Sequence, residues 1–424
     1  MRRLGLLRWV PLAGGVVAAI CLGKIAPIGA SVQDAFGLTA TWLGAAISTI
    51  TFVTAALAAP VGEWLRHRDP TRWLATGLMV MAIAGAAMIV STSPVVLIGL
   101  RLVEGVGYLL VMVGGPVMLV TRVATHQRAL ALALWGGCIP AGLALAATGG
   151  GVIGSRWGWQ WWFAVVAFTC VGIALVTFLA RTAPGEAQPG EPAGPSHGLR
   201  GAWAGPLLLA GGFSAVALVS VAVLSVLPEY LHTELGMSTA GAGVVTSVAA
   251  VGSVPGTVCA GVLLRRGVRA QVLVSAGLLS AALAVLTFSP AMPAGVAIAA
   301  AVLLLFTVGV AVAAAYGSLP LVVRDTDDLP LANGILVQLG SAGTLIGPPI
   351  FASVTGLQRW HLVPLLVLLT SSVGVFLVIR AISVGRTRAH PTPPAVRTAT
   401  NATTRHPPQS AGLPSRSRQR GRRS

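Results

Sequence analysis

Three charged side chains lie within long apolar stretches of a sequence that otherwise avoids charge: Lys24, Arg101 and Glu104. An ionisable side chain at membrane depth is costly unless it faces a cavity or a partner. Arg101 and Glu104 are three residues apart, so both project from one face of a helix. We therefore interpret these residues as a candidate functional site within a membrane protein.

The chemistry available to this charged trio follows from its net charge of +1. If Glu104 pairs with one cation, the other remains free, and a free cation in a low-dielectric cavity attracts anions strongly. We hypothesise that Lys24 or Arg101 binds an anionic group of a substrate, and that Glu104 balances charge or accepts a proton. The alternative is a structural ion pair that joins two helices and takes no part in transport.

Other polar side chains within the apolar stretches are candidates for contact with a solute. Tyr316 and Gln338 are the strongest candidates for substrate binding, because a large polar group inside a membrane helix needs a partner. Smaller hydroxyl groups more often bond to a backbone or to a neighbouring helix. The further candidates are Ser48, Thr49, Ser214, Ser220, Ser318 and Asn333.

The sequence lacks the motifs of several other function classes. It has no G-x-x-x-x-G-K-[ST] loop, which argues against ATP as a driving force, and no H-E-x-x-H motif for a metal. The seven histidines lie in loops, at the edges of the predicted membrane helices or in the tail, so no Ser/His/Asp set can be assembled within the helices. We predict a protein that is not an enzyme and that binds no cofactor or metal.

The composition identifies the class of protein that must position these residues. The chain has 424 residues, of which 55% are hydrophobic and only 9% charged, with a mean hydropathy of +0.84. Soluble domains carry about 25% charged residues, and a helix that crosses a membrane needs about 20 apolar residues. Twelve stretches satisfy that length: 10–32, 41–62, 73–91, 95–121, 129–153, 161–180, 204–227, 238–263, 270–288, 294–322, 332–354 and 361–381. The predicted fold class is an all-α integral membrane protein.

A segment rich in Pro, Gly and charge, residues 181–203, divides the twelve predicted helices into two sets of six. The predicted organisation is an N-terminal half over 1–180, a cytoplasmic linker over 181–203 and a C-terminal half over 204–381. Residues 382–424 contain nine arginines and no acidic residue, which predicts a disordered basic tail. Gly37-Leu38-Thr39 and Gly236-Met237-Ser238 are 199 residues apart, and this internal repeat predicts two parallel halves around a central site.

The distribution of Lys and Arg predicts the orientation in the membrane. All of the basic residues except Lys24, Arg101, Arg156 and Arg359 fall on one side of the predicted helices. Basic residues favour the cytoplasm, which predicts a multi-pass protein of the plasma (inner) membrane with both termini cytoplasmic. Because this bias and the tail account for the net charge of +17, we do not predict nucleic-acid binding. The expected partners are a small-molecule substrate and the lipid bilayer, and we expect a monomer.

Short motifs recur at characteristic places relative to the predicted helices. RLVEGVG, residues 101–107, lies in the fourth predicted helix and is similar to an Arg-x-x-Gln-Gly-x-Gly pattern. The other motifs are GKIAP, FGLTATWLG, GEWLRHRDPTR, WGGCIPAG, RWGWQWWF and GILVQLGSAGTLIGPPIF. Together they resemble the major facilitator superfamily, with the closest likeness to its cyanate-permease-like small-solute members. The resemblance covers nearly the whole chain and implies that the first and fourth helices lie beside a central cavity.

The resemblance also implies a role for the loop after the second predicted helix. In the family this loop latches two helices during conformational change. This chain departs from the family pattern, because Arg66 stands where an aspartate is expected and Asp69 where a glycine is expected. Glu63 or Asp69 could replace the missing acid. The residues assigned to this conformational loop and to its second copy are Gly62, Glu63, Arg66, Asp69, Arg72, Gly261 and Arg265.

The sequence and the resemblance together predict a secondary active transporter of a small solute that works by alternating access. A small anion is the expected substrate, with proton coupling through Glu104 as an open hypothesis. One alternative is a proton-driven efflux transporter for drugs or metabolites. A non-transporting membrane receptor or scaffold is the other alternative.

Overall fold

The computed structural model describes residues 9–180, 203–323, 326–355 and 359–389, and the regular structure in these ranges is helical. The predicted linker, apart from Trp203, and residues 390–424 of the predicted tail lie outside the described residues. The described part therefore contains the segments that the sequence predicts to lie within the membrane.

Within the described ranges, twelve helical segments are long and apolar enough to cross a membrane, as predicted. We number them span 1 to span 12 in chain order. Their bounds are Val10–Phe36, Thr41–Trp64, Pro70–Ile89, Pro94–Arg122, Arg128–Trp157, Trp159–Leu179, Ala204–Thr233, Gly241–Arg265, Ala270–Thr287, Ala294–Gly317, Leu329–Thr355 and Leu362–Gly385.

Some spans are interrupted, and several differ from the predicted bounds by a few residues. Span 9 contains a 3-10 turn at Ala276–Leu278, and span 5 contains a π-helical turn at Gly150–Gly154. The tenth predicted helix ends at Gly317, and a separate short helix, Leu319–Val322, begins with a proline in its first turn. The last helix continues to Ala389, which corrects the prediction that disorder begins at residue 382.

The internal repeat appears as matching turns before spans 2 and 8. Gly37 and Gly236 both adopt the left-handed conformation, with φ of 60° and 64°. Two residues later, Thr39 and Ser238 cap the following helices, because their side-chain oxygens accept hydrogen bonds from backbone N–H groups. Glycine tolerates positive φ and a hydroxyl satisfies a free N–H group, so the repeated sequence specifies the same turn twice.

The interface between the two sets of six spans is built mainly from two groups of helices. Span 2 packs along span 11, and the first segment of span 5, Arg128–Gly136, packs against spans 8 and 10. Many large apolar side chains are exposed on the remaining surface, including Phe168, Phe376 and Ile83, as a membrane protein requires. The charged trio lies inside the N-terminal set.

Candidate functional site

The candidate site is built around a break in span 1. Its first helix, Val10–Gly23, ends just before Lys24, and a 3-10 turn at Ala26–Ile28 leads into a second helix, Gly29–Phe36. Pro27 has no N–H group to continue the helical bonding, and the last turn of any helix leaves carbonyl groups without donors. The break therefore exposes backbone acceptors at the position of a buried lysine.

Glu104 bridges the two cations of the trio. Lys24 Nζ lies 2.7 Å from Glu104 Oε1, and Arg101 Nη1 lies 2.7 Å from Glu104 Oε2. All three residues are fully buried, with 0% relative exposure. Each carboxylate oxygen therefore binds a different cation, so the expectation that one cation would stay free of Glu104 does not hold in this conformation.

Arg101 also closes the break in span 1. Its Nη1 and Nη2 groups donate to the carbonyls of Cys21 and Leu22, at 3.1 and 3.3 Å. Its Nε and Nη2 groups donate to the carbonyls of Ala46 and Ile47 in span 2, at 2.8 and 3.5 Å. A guanidinium has five N–H donors, and with Glu104 all five have acceptors here.

Lys24 is held by span 6 as well as by Glu104. Its ammonium lies 4.5 Å from the centre of the Phe163 ring, within the range of a cation–π interaction. Trp162 Nε1 donates to the Lys24 carbonyl at 3.0 Å. A Cβ atom at Gly85 of span 3 would lie 3.2 Å from Nζ, so glycine leaves room for the ammonium. Spans 3, 4 and 6 thus surround this lysine of span 1.

The other two predicted substrate-binding residues lie apart from the trio, with no contact to it in the described part of the chain. Tyr316 is buried in span 10 and packs edge-to-face on Phe213 of span 7, with ring centres 5.1 Å apart. Gln338 of span 11 bonds to the backbone of span 2, where its Oε1 accepts from Ala59 N at 2.9 Å. Their assignment to substrate binding stays a prediction.

The predicted conformational loop joins the two sets of spans through an ion pair. Arg66 pairs with Asp328, at the start of span 11, and also lies 3.4 Å from Glu63. Asp69 instead caps span 3, because its side chain accepts from Thr71 N at 3.0 Å, and it lies 3.8 Å from Arg72. Asp328 therefore supplies the acid that pairs with Arg66 between the two sets of spans, whereas the sequence suggests Glu63 or Asp69 for this role.

Two glycines of this region allow close helix approach. A Cβ atom at Gly62 would overlap the Pro330 carbonyl oxygen, which brings span 2 against the start of span 11. A Cβ atom at Gly261 would lie 2.9 Å from Leu130, between spans 8 and 5. Arg265, the other residue assigned to the second copy, is exposed. The two copies of the loop thus lie at equivalent seams, with the ion pair to Asp328 formed in the first copy.

Residues that sequence reasoning missed are Asp328, Trp162 and Phe163. Asp328 carried a signal, because it is an acid at a span boundary on the same predicted side as Arg66. The aromatic pair had none, since aromatic residues are common at membrane interfaces. In the described residues, no group of three or more His, Cys, Asp or Glu could hold a metal ion.

Comparison with known proteins places this geometry in a wider context. A sequence model of the family described as the Major Facilitator Superfamily matches residues 12–326 and again 207–417. A solved structure of the E. coli fucose:proton symporter FucP has a TM-score of 0.70 and 15% identity, covering 90% of this chain and 98% of that one. A structure of FucP in the outward conformation has a TM-score of 0.70 and 14% identity, covering 88% and 97%. No curated protein matches the chain.

Proposed function

We propose that this chain, which belongs to the major facilitator superfamily, is a secondary transporter that moves a small solute across a membrane by alternating access. The contacts between the two sets of spans support this proposal. They include the ion pair of Arg66 with Asp328 and the close approach of Gly62 to Pro330. We call this side, where span 2 ends and span 11 begins, the Arg66 side. Contacts that close one side and can be exchanged for contacts on the other are what alternating access requires.

The proposed substrate is a small anion, and the observation that carries this is the bridge formed by Glu104. With its carboxylate ionised, Glu104 occupies both Lys24 and Arg101. If a proton neutralised Glu104, Arg101 would keep its four backbone carbonyl acceptors. Lys24 would then face a neutral acid instead of its carboxylate ion-pair partner, and its uncompensated ammonium could bind an anion.

This mechanism couples proton and anion in the same direction. Proton binding at Glu104 precedes anion binding at Lys24, and release of the proton restores the Lys24–Glu104 pair and expels the anion. The Phe163 ring and the surface of span 3 at Gly85 keep the Lys24 ammonium in place while the anion binds and leaves. Arg101 acts as a structural residue that holds span 1 at its break rather than as the ligand.

The proposed setting is a monomer in the plasma (inner) membrane with both termini in the cytoplasm. The bias of Lys and Arg toward one side supports this orientation. The Arg66 side is then cytoplasmic, and the described conformation is closed toward the cytoplasm. The likeness to cyanate-permease-like members stays a prediction that a substrate screen would decide.

The experiment is a flux assay with purified protein in proteoliposomes. A panel of labelled formate, acetate, nitrate and phosphate is tested with and without a pH gradient, and an anion that enters faster with external acid supports the mechanism. The double variant Glu104→Gln with Lys24→Met removes both charges of one pair, so Arg101 keeps its carbonyl acceptors. It should insert normally but lose the response to the gradient.

The matched control is Glu234→Gln, an exposed acid at the end of span 7, which should keep the response. Anion flux that ignores the gradient in the wild type would refute proton coupling. Movement of amphipathic dyes without any anion flux would favour the efflux alternative instead. If no solute moves, a receptor or scaffold becomes the better interpretation.

A further inference from the structure

We propose that Asn333 and Gln338 of span 11 form an amide gate that closes the Arg66 side of the molecule. Their side-chain amides bind backbone groups at turns of spans 2 and 4 that are interrupted by proline. The gate rests on the proposed alternating access, but it needs no particular substrate or coupling ion. It assigns both residues to the conformational cycle rather than to ligand binding.

The first contact of the gate lies at Pro60 in span 2. A proline within a helix has no N–H group and its ring clashes with the carbonyl four residues earlier, which here belongs to Ala56. Gln338 Nε2 donates to this Ala56 carbonyl at 3.4 Å. Its Oε1 accepts from Ala59 N–H, on the residue before Pro60, at 2.9 Å. One side-chain amide therefore bonds to both a donor and an acceptor of the turn that contains this proline.

The second contact lies at Pro116 in span 4. The carbonyl that this proline leaves without a helical donor belongs to Met112. Asn333 Nδ2 donates to Met112 O at 3.0 Å and to Val113 O at 3.1 Å. Asn333 is fully buried, so this contact is sealed from solvent in the described conformation.

Span 11 can reach both spans because of the spacing of the two amides. Residues five apart on an α-helix are separated by roughly 140° around its axis, so they face different neighbours. Gly334 lies between them, and a Cβ atom there would overlap the Ala58 carbonyl oxygen of span 2. The close approach at Gly334 lets the Gln338 amide reach the backbone of span 2 directly.

The prolines make such a gate reversible. In a helix without proline each carbonyl already accepts a hydrogen bond from its own helix, so it does not depend on a side-chain donor. A carbonyl freed by proline needs a partner in every state, and water can serve where the backbone lines a cavity. The amides supply that partner when the Arg66 side is closed, and cavity water replaces them when it opens.

The Asn333 side chain also carries a feature that favours opening. Its Oδ1 atom is buried and has no hydrogen-bond partner in the described part of the chain. A buried acceptor without a donor destabilises the state that contains it. Opening the Arg66 side would expose this oxygen to water. This lowers the free energy of the open state relative to the closed state, so the closed state remains reversible.

The test measures the two conformations directly by spin-label distances in reconstituted protein. Labels are placed at His67→Cys and Arg266→Cys, which are exposed positions of opposite sets on the Arg66 side, with Cys259 replaced by alanine. Gln338→Met should raise the ratio of open to closed molecules by about threefold to tenfold, the expected effect of losing a hydrogen bond. Gln271→Met, in span 9 within the C-terminal set, should leave the ratio unchanged.

The prolines provide the decisive comparison. Pro60→Ala restores the N–H group that bonds to Ala56, so Gln338→Met should have a smaller effect in that background. The pair Asn333→Leu and Pro116→Ala gives an independent second cycle if either Gln338 variant fails to insert. An unchanged ratio in both single amide variants, or an equal effect with and without the prolines, would overturn the gate. Anion flux is not part of this readout, so failure of the gate and failure of the proposed substrate are distinguishable.

Discussion

Replacing Arg101 by lysine tests whether this residue closes the break in span 1. The substitution keeps the positive charge and the reach to Glu104, but it exchanges five N–H donors for three on a single atom. The carbonyls of Ala46 and Ile47 lie within a continuous helix and have their own helical donors. Those of Cys21 and Leu22 lie at a helix end, so they depend on the guanidinium.

The expected magnitude follows from those two carbonyls. A buried acceptor left without a donor costs about 1–3 kcal/mol. Loss of both donors gives an expected decrease of about 2–6 kcal/mol in the free energy of unfolding. This is large for a change that conserves charge, since most surface substitutions fall within about 0.5 kcal/mol.

The assay is reversible unfolding in mixed micelles by titration with SDS, followed by circular dichroism. Arg156→Lys is the matched control, because it makes the same substitution at an exposed arginine near the end of span 5. It should change the free energy of unfolding by less than about 0.5 kcal/mol. A similarly small change for Arg101→Lys would refute the structural role of Arg101 and return it to the substrate-binding candidates.

Three further outcomes are expected. Either single reversal, Arg66→Asp or Asp328→Arg, should lower the population of molecules closed on the Arg66 side, as measured by spin-label distances. The double variant should restore that population, and its failure to do so would contradict the role of the Arg66–Asp328 ion pair in closure. Phe163→Leu should lower the free energy of unfolding by about 1–2 kcal/mol more than Phe168→Leu, because Phe163 is buried in contact with the Lys24 ammonium whereas Phe168 is exposed. Equal effects would argue against this packing. Gly334→Leu should prevent closure of the Arg66 side, seen as loss of the short distance, and persistence of that distance would contradict the close approach.

Much of the fold could be predicted because membrane crossing is a local property of the chain. A helix that satisfies its own backbone and presents about 20 apolar residues can be recognised without knowing its neighbours. The twelve spans were predicted on this basis and are confirmed. The turns at Gly37 and Gly236 are local too, since positive φ and helix capping involve only adjacent residues.

The boundaries were less predictable where hydropathy and helix formation differ. The sequence predicts that the last span ends at residue 381, yet span 12 runs to Gly385 and its helix continues to Ala389. After Gly317 the predicted helix was too long instead of too short. The apolar run continues to residue 322, but it does not reveal that the helix is interrupted at Ser318.

The sequence identified the three charged residues of the trio but not their hydrogen-bond partners. The charges of Lys24, Arg101 and Glu104 inside apolar stretches marked them as unusual, because desolvation of charge is costly wherever the chain folds. The sequence did not show that one carboxylate binds both cations, nor that Arg101 bonds to the broken end of span 1. Those contacts depend on which atoms the packing of four spans brings within hydrogen-bond distance.

The sequence alone determined the membrane helices and the identity of the buried charges, because each follows from local composition and spacing. Only the tertiary structure decided their partners. Arg66 pairs with Asp328 across 262 residues, and Asn333 bonds to Met112 across 221. Contacts at such separations arise from the packing of whole helices, and no local pattern in the chain encodes them.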